Sequence, residues 1–469
     1  MPILSSKSRL LLSFRFAESL HQGRGCSVIS PIAFSKKKNN FQLSLPNTEE
    51  NSYICKKSAN NKVKYMLLEF YVCNFLSIKD ELKLSFVATT LKESLAEAND
   101  VIPLSDMGLS LVRSAVIYGA NASGKTNVLK AIAFYKRFIM DSFKNSQAGE
   151  SIDVENFRLN ASSIHEPTAM EATFAVGKYI YRYGFEVDPK AIHAEWLYRR
   201  MNRKRAKEVE IFYREEETTS VHAKSPLIQD LVNKNMVRSN ALLLSTAAQF
   251  NEMTAVNILH WLGDTQVLFC SEDEKMWSQA IRYLDDEKMR ERIVRFAKYA
   301  DLGIDSIAKI DNRIVSSHRQ YDNEGKATNN VSFSFNGNES EGTIKYFSLA
   351  YPIIDALDNG KRLVVDELDS KLHPLLVRKI ITLFNSAETN PKGAQLLFTT
   401  HDTFLLSAGL FRRDQIWFTQ KDNFGATEAY SLAEYKVRSS SPFERDYLQG
   451  KFGATPIIGD METLFTTEG

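Results

Sequence analysis

The stretch LVRSAVIYGANASGKTNVLKAIAFY, residues 111–135, decides the fold of this chain. It opens with an aliphatic, β-branched run at residues 112–118, which predicts a buried strand. Residues 119–126 then match the pattern G-x-x-x-x-G-K-[ST] of a phosphate-binding loop. Apolar residues at helical spacing follow from Val128 onward. The loop therefore stands between a strand and a helix, which is the context that the motif requires.

The spacing of this motif explains how it would hold a nucleotide. Its glycines let the backbone curl so that N–H groups face phosphate oxygens, and the positive end of the following helix faces the same anion. Lys125 would reach the β- and γ-phosphates, and the Thr126 hydroxyl would ligate Mg²⁺. The alternative, a glycine-rich turn with an incidental lysine, does not explain the agreement of all four fixed positions. The residues predicted to contact the nucleotide are Gly119, Asn121, Ser123, Gly124, Lys125, Thr126 and Asn127.

Length and composition indicate a packed protein of more than one domain. At roughly 150 residues per domain, the 469 residues suggest two or three domains. The hydrophobic content of 43% and the charged content of 25% are typical of globular proteins. A formal net charge of only +2 gives no overall bias toward nucleic acid, although a local basic face is compatible with it.

The cysteines and the apolar runs indicate the cellular compartment of the protein. Cys26, Cys55, Cys73 and Cys270 form no C-x-x-C pair, so they predict neither a disulfide framework nor a zinc site. No apolar run approaches the roughly 18 residues of a membrane span. We therefore expect a cytoplasmic protein without a membrane partner.

Residues 1–65 differ from the rest of the chain. Lys and Arg outnumber Asp and Glu eleven to three there, and periodicity is poor. A basic, acid-poor start resembles a transit peptide, whereas the apolar run at residues 10–14 is short for a signal peptide. A third interpretation, which we favour, is that the folded protein starts at Met66. Residues 1–65 are then a misassigned or disordered extension.

Antiparallel strands are predicted on both sides of the phosphate-binding motif, within an N-terminal half at residues 66–224. After Met66, two apolar runs are split by a polar turn at residues 79–81, which suggests paired strands. Residues 88–110 are polar, and we expect a loop there. Residues 168–215 alternate apolar and polar side chains, which indicates an antiparallel meander with one wet face.

A basic cluster lies inside this meander. It is a candidate contact for a DNA backbone, because lysine and arginine neutralise phosphates. The alternative, which is the commoner one for such a run, is a solvated hairpin tip. The cluster comprises Arg199, Arg200, Arg203, Lys204, Arg205 and Lys207.

Residues 225–310 are predicted to be a helical insertion, because apolar residues recur at helical spacing in most of this stretch. Sustained heptads are missing, so a long coiled-coil arm is not expected. The C-terminal half, residues 311–469, carries further nucleotide-site patterns.

Three of these patterns concern the nucleotide. The buried run at residues 361–367 ends in Asp366 and Glu367, which is the Walker B form; Asp366 would hold the Mg²⁺ water shell, and Glu367 would polarise the attacking water. A second buried strand ends at His401, whose ring can hydrogen-bond the γ-phosphate or that water. Between the phosphate-binding motif and the Walker B run, Ser340 and Gly342 stand at the start of a helical pattern. An anion can bind at a helix start, although Ser and Gly are also ordinary capping residues.

The order of these motifs resembles that of the ABC/SMC-like ATPases. Within that group the chain looks like the OLD-like ATPases of the RloA/AbiL abortive-infection type. The resembling stretches are NFLSIKDE (74–81), GANASGKTN (119–127), RYGFEVD (182–188), EWLY (195–198), NALLLSTAAQFN (240–251), ESEGTIKY (339–346), VVDELDSKLHP (364–374), TTHD (399–402) and RDYLQGKFGATP (445–456).

The resemblance implies an α/β fold, namely an ABC-type P-loop ATPase head with an antiparallel β-meander lobe and a helical insertion. It implies that Ser340 and Gly342 form a signature motif for the γ-phosphate of ATP held by a second copy. Asp369 would cross that interface, and His401 would be the switch histidine. The signature departs from the family pattern, since it reads Ser-Glu-Gly-Thr, and the glutamine that commonly senses Mg²⁺ is not identified.

The mechanism implied by the resemblance is an ATP sandwich, in which two heads close around two nucleotides as a homodimer or larger homo-oligomer. The first hypothesis is an ATPase switch in antiphage defence that acts with a separate effector, such as a nuclease. The second is a DNA-clamping repair or genome-maintenance ATPase. A self-contained nuclease is disfavoured because residues 402–469 are too few for an added metal-dependent domain, and a transporter ATPase is disfavoured by the departing signature.

Overall fold

The computed structural model leaves out the two ends of the chain, residues 1–64 and 457–469. The expectation that the N-terminal segment is an extension therefore lies outside the described residues. Described are residues 65–90, 101–104, 108–144, 147, 149–215, 218–222, 225–299, 303–310, 313–438 and 441–456.

Within these ranges the chain forms eighteen β-strands in four sheets. They are β1 (Tyr65–Cys73), β2 (Leu82–Ser85), β3 (Ile102–Leu104), β4 (Leu109–Leu111), β5 (Ser114–Gly119), β6 (Thr168–Val176), β7 (Tyr179–Val187), β8 (Ile192–Met201), β9 (Val209–Glu215), β10 (Thr218–Val221), β11 (Thr265–Leu268), β12 (Ile304–Ile310), β13 (Arg313–Tyr321), β14 (Ala327–Ser334), β15 (Arg362–Val365), β16 (Gln395–Thr399), β17 (Ile416–Lys421) and β18 (Thr427–Ser431).

The same ranges contain eleven α-helices and four short 3₁₀ helices, the latter at Ser163–His165, Cys270–Glu272, Arg413–Gln415 and Leu432–Glu434. The α-helices are α1 (Lys125–Asp141), α2 (Pro226–Asn233), α3 (Leu243–Gln249), α4 (Met253–Gly263), α5 (Asp273–Tyr283), α6 (Glu287–Ala297), α7 (Phe335–Asn338), α8 (Glu341–Asn359), α9 (Pro374–Asn385), α10 (Phe404–Ser407) and α11 (Phe443–Leu448). None of these helices combines the length and apolar character that a membrane crossing requires.

The central six-stranded sheet carries the phosphate-binding motif. Its order is β11-β15-β16-β5-β17-β18, and every neighbouring pair is parallel except β17 with β18. Strand β5 is buried along its whole length, as its aliphatic sequence predicts. Because parallel strands end at the same edge of a sheet, the segments that follow β5, β15 and β16 meet there.

A seven-stranded antiparallel sheet contains the predicted meander. Its order is β10-β9-β8-β7-β6-β1-β2, so β1 and β2 pair as their sequence suggested. Gly177 has a φ of 61° in the turn between β6 and β7, a backbone region that glycine adopts at little cost. One part of the prediction is wrong: the stretch at residues 88–110 is not all loop, since β3 and β4 pair within it.

The segment at residues 225–310 is mainly helical, with α2 to α6 inside it. It also supplies β11, an edge strand of the central sheet, and β12, which starts a three-stranded sheet with β13 and β14. The segment is therefore tied into the central sheet by β11. With its mixture of parallel and antiparallel sheets and helices, the chain confirms the predicted α/β fold class.

Helix α1 lies between the two large sheets and is fixed by aromatic packing. Tyr135 of α1 stacks on Phe185 of β7, with ring centroids 5.6 Å apart. Nearby, Phe174 of β6 stacks on Trp261 of α4 at 3.9 Å. Such rings bury large apolar areas. The helix that follows the phosphate-binding loop is thus held in place from the meander side.

Glu195 is a fully buried carboxylate that joins the meander to the helical segment. It accepts hydrogen bonds from the backbone N–H groups of Leu243 (2.6 Å) and Leu244 (2.9 Å) and from the Tyr183 hydroxyl (2.9 Å). The first N–H groups of a helix have no partner within the helix. Glu195 accepts from two such groups at the start of α3 and therefore caps it. Burial raises the pKa of Glu195, while Arg214, 3.7 Å away, opposes the rise.

We expect Glu195→Ala to lower the free energy of unfolding by about 3 kcal/mol, because several buried donors and the Arg214 charge lose their acceptor. Urea denaturation at pH 7 measures this difference. Glu215→Ala, at an exposed position on the neighbouring strand, is the control and should change the value by no more than about 0.5 kcal/mol. Equal stability of the two variants would contradict the capping role.

Candidate nucleotide-binding site

Both glycines of the phosphate-binding loop are required by close contacts. At Gly124, which has a φ of 105°, an added Cβ would lie 2.1 Å from Thr427 Oγ1. At Gly119 it would lie 2.5 Å from the backbone oxygen of Thr419. Both distances are far below contact distance, and the positive φ at Gly124 adds strain for any other residue. The loop can therefore adopt this shape only with glycine at these two positions.

Hydroxyl and amide side chains hydrogen-bond the loop to neighbouring segments of the chain. Ser123 Oγ lies 2.8 Å from Thr419 Oγ1, and Thr427 Oγ1 donates to the Ser123 carbonyl at 3.0 Å. Asn127 Nδ2 donates to Ser77 Oγ at 2.7 Å, and that oxygen lies 2.8 Å from Thr427 Oγ1. The loop is thus anchored to β17, to β18 and to the segment after β1.

Lys125 is buried beneath its own loop. Its ammonium group donates to the carbonyls of Gly119 (2.8 Å) and Ala120 (3.1 Å). Burial lowers the pKa of Lys125, and the charges of the acidic residues after β15 oppose this shift. Asn121, in contrast, is exposed at the tip of the loop. The lysine is therefore held where an anion inside the loop would contact it.

Asp366 joins the ends of three elements. Its carboxylate accepts from the Thr126 hydroxyl, with oxygen distances of 3.0 and 3.2 Å. It also accepts from Thr399 Oγ1 at 2.7 Å, and Thr399 Oγ1 in turn accepts from the N–H of Glu367 at 2.7 Å. The predicted Walker A and Walker B residues are thereby brought together. Thr399 is a further member of this network to which the sequence reasoning assigned no role.

The turn after β15 has an unusual backbone. Glu367 and Lys371 have φ values of 49° and 65°, in the left-handed region that non-glycine residues seldom adopt. The Ser370 N–H donates to the Glu367 carbonyl at 2.9 Å and closes the turn. Asp369 accepts from the His401 N–H at 3.3 Å through one carboxylate oxygen, while its other oxygen is buried without a partner. Such strain is common at functional sites.

His401 follows β16 at the same edge of the sheet. Partial burial and the charge of Lys125 lower its pKa from 6.5, and the carboxylates of Asp369, Glu367 and Asp366 oppose the change. This shift favours the neutral form of the ring. His401 lies at the edge of the central sheet where the segments after β15 and β16 meet.

Ser340 and Gly342 lie at the start of α8. Ser340 Oγ caps the helix by accepting from the Thr343 N–H at 3.1 Å, and a Cβ at Gly342 would lie 2.7 Å from the Lys371 carbonyl. Among the described residues, no hydrogen bond joins either of them to loop 119–127. Gly342 thus lies directly beside the turn after β15.

The oxygen donors of Thr126 and Asp366 fit a magnesium ion. Mg²⁺ takes six oxygens at about 2.1 Å in an octahedron, so adjacent ligands lie about 3 Å apart, and these two oxygens lie 3.0 Å apart. The described residues contain no group of three or more His, Cys, Asp or Glu side chains placed to hold a metal. This donor set suits Mg²⁺ that is held jointly by the protein, water and a nucleotide.

The threonines behind the loop and Thr399 were missed by the sequence reasoning. The only available signal was a polar residue within an otherwise apolar strand, as at Thr419 and Thr399. Such a residue is common in strands for other reasons. Their roles depend on which strands become neighbours, which the sequence did not specify.

A family model described as "AAA domain, putative AbiEii toxin, Type IV TA system" matches residues 114–407. The chain belongs to this family. The match begins with β5, ends with α10 and contains Lys125, Ser340, Asp366, Glu367 and His401, which places the chain among the P-loop ATPases. No curated protein matches the chain.

The chain is also similar to several solved structures. The SMC head domain from Thermotoga maritima has 13% identity and a TM-score of 0.37, over 79% of this chain and 99% of that one. An Smc head domain from Pyrococcus furiosus, bound to the C-terminal domain of ScpA, has 12% identity and a TM-score of 0.32, over 83% and 99%. The recombination mediator protein RecF with ATP has 14% identity and a TM-score of 0.31, over 79% and 99%.

We expect Thr427→Val to weaken ATP binding about tenfold, because the loss of one hydroxyl removes the hydrogen bond to the Ser123 carbonyl and one of the two partners of the Ser77 hydroxyl. Isothermal titration calorimetry measures the dissociation constant. Thr382→Val is the control: its hydroxyl also bonds a backbone carbonyl, that of Arg378, but at an exposed position on α9. An unchanged dissociation constant for Thr427→Val would show that this anchoring is unimportant.

Proposed function

We propose that this protein is an ABC/SMC-like ATPase of the OLD-like type, which binds and hydrolyses ATP and acts as a nucleotide-gated switch in bacterial antiphage defence. The observation that carries the proposal is the meeting of Thr126, Asp366, Glu367 and His401 beside the loop that surrounds Lys125. Phosphate-binding, metal-binding and water-activating groups lie there at one edge of a parallel sheet.

Each of these groups has a part in hydrolysis. Loop N–H groups and Lys125 hold the β- and γ-phosphates, and Thr126 and Asp366 would hold Mg²⁺, which would supply positive charge to the phosphate oxygens. Glu367 accepts a proton from water as that water attacks the γ-phosphorus, and the bond to the β,γ-bridging oxygen breaks. ADP and inorganic phosphate are the products. His401 positions the water or a γ-phosphate oxygen by a hydrogen bond.

Two copies are needed for a complete site in this proposal. Ser340 and Gly342 lie at the start of α8 beside the turn after β15, and within the described residues no hydrogen bond joins them to the loop of their own chain, so a second copy would offer them to the γ-phosphate. Asp369 lies in that turn and would cross the interface. ATP then favours a closed dimer, and ADP favours the open state, because only ATP has the γ-phosphate that both copies contact.

The proposal also includes a biological role, namely antiphage defence together with a separate effector protein. The name of the matched family, which refers to a toxin of a type IV TA system, supports it. The effector, such as a nuclease, would respond to the change between the open and closed assemblies.

A DNA-clamping repair ATPase is the second candidate, and the basic cluster favours it. Arg203, Lys204, Arg205 and Lys207 are exposed in the turn between β8 and β9. Arg199 packs its guanidinium 4.5 Å from the ring centroid of Tyr179. Exposed cations at a hairpin tip can neutralise DNA phosphates. The alternative is that water alone solvates these side chains.

We expect Glu367→Gln to accumulate as an ATP-bound dimer, because the amide cannot take the proton and hydrolysis stops after closure. Multi-angle light scattering with ATP and Mg²⁺ should show a doubled mass, whereas ADP should leave the mass unchanged. Glu388→Gln, at an exposed position after α9, should behave as the unmodified chain does.

A monomeric Glu367→Gln with saturating ATP would contradict the sandwich. An increase in mass that requires double-stranded DNA would favour the clamp over the defence switch. A dimer without DNA would favour a switch that acts through a protein partner.

We expect the acid limb of kcat/KM for ATP hydrolysis to lie at lower pH than an unperturbed histidine would give. Burial and the charge of Lys125 lower the pKa of His401, so its ring stays neutral in more acidic solution. His401→Gln should be at least about tenfold slower and should lose this acid limb. His165→Gln, at an exposed position, is the control. An unmodified acid limb in His401→Gln would assign the limb to another group.

A further inference from the structure

Asp273 connects the start of α8 to the turn after β15. Its two carboxylate oxygens take different lysines: Lys345 of α8 at 2.6 Å, and Lys371 of the turn at 3.3 Å. Lys371 also lies 3.6 Å from Glu341, the first residue of α8. We call Asp273, Lys345, Lys371 and Glu341 the Asp273 cluster. Its members come from three separate segments of the chain.

The two ion pairs of the cluster differ in burial. The Lys345 side chain is only 2% exposed, whereas the Lys371 side chain is 41% exposed. A buried ammonium group needs a charged partner, and Asp273 provides it. As the first residue of α5, Asp273 also stabilises the positive end of that helix. The carboxylate is thus firmly held, while its pair with Lys371 can open without burying an unpaired charge.

Two further contacts join the same segments. The close approach of Gly342 to the Lys371 carbonyl places the start of α8 directly against the turn. Cys270, in the short helix before α5, has its sulfur 3.4 Å from Ser370 Oγ. A shift of α8 would therefore disturb the turn that carries Glu367 and Asp369.

We propose that Asp273 is a positioning residue that couples Ser340 and Gly342 to Glu367, so that contact with the nucleotide of a second copy sets the position of the water-activating carboxylate. The proposal rests on the proposed ATP sandwich. It assigns to Asp273 no contact with substrate. Its effect passes through Lys345 to α8 and through Lys371 to the turn.

The physical reason is that the turn has little freedom and is strained. Glu367 and Lys371 both adopt left-handed backbone conformations, which persist only where the surroundings enforce them. The Asp273 cluster is part of those surroundings. Without it, binding at Ser340 would no longer select one position of Glu367, and the two sites of a dimer would work independently.

The test opens the cluster in two ways. Lys371→Asn removes the exposed charge and keeps a residue that tolerates a positive φ. The double variant Asp273→Asn/Lys345→Met removes the buried ammonium group together with its carboxylate partner, so that no unpaired charge remains in the interior. Lys275→Asn is the matched control, because its pair with Glu272 at 3.3 Å lies at the start of α5 and joins neither α8 nor the turn.

We expect both cluster variants to bind ATP in the monomer within twofold of the unmodified chain, since the loop around Lys125 is untouched. Their kcat should fall at least tenfold, and the Hill coefficient for ATP should fall to 1. Lys371→Arg should restore both values. The control should match the unmodified chain in all three measurements.

Two results would overturn the proposal. One is a kcat within twofold of the unmodified value together with an unchanged Hill coefficient in both variants. The other is a parallel loss of monomer ATP affinity, which would indicate general damage. Light scattering of Glu367→Gln separates this failure from that of the sandwich: if Glu367→Gln itself stays monomeric with ATP, the proposed function fails, whereas a normal dimer with unaffected variants removes only the role of Asp273.

Discussion

The rest of the site depends on the hydrogen bonds that the Asp366 carboxylate accepts from two hydroxyl groups. Through Thr126 it fixes the start of α1, and through Thr399 it fixes the end of β16. Thr399 in turn holds the Glu367 N–H. A buried carboxylate with these partners is satisfied, so the start of α1 and the ends of β15 and β16 are held together. The pair proposed to bind Mg²⁺ and the residue proposed to activate water are thereby fixed relative to one another.

The sequence predicted well those features that depend on local pattern. The loop at residues 119–126, the strand before it and the helix after it need only a short stretch of chain. The same holds for Asp366, Glu367 and His401, because each stands at the end of a buried strand, and parallel strands end at one edge. The alternation in residues 168–215 likewise predicted the meander, since a half-buried antiparallel strand has a period of two. The predicted wet face is wrong for β6, because its residues from Met170 to Val176 are all buried.

Features that depend on distant neighbours could not be predicted. Thr419 and Thr427 lie about 300 residues after the loop that they support, and a threonine in a strand has no distinctive spacing. Strand β11 lies within a segment of helical pattern and pairs with β15, nearly one hundred residues later. The pair β3–β4 lies in a stretch that looks polar. Each of these cases depends on which strands become neighbours, and pairing across such separations leaves no local pattern.

In the proposed ATP sandwich, the positions of Ser340 and Gly342 leave the site of a single chain incomplete. Their helix is packed against the turn after β15, and Ser340 caps it by accepting from the N–H of Thr343. The first N–H groups of a helix have no partner within it, and such groups can bind an anion. A single chain thus carries a loop that surrounds a lysine and, apart from it, a helix start suited to phosphate. In two copies related by a twofold axis, the helix start of each copy would face the loop of the other. The same pairing would then occur twice in one closed assembly.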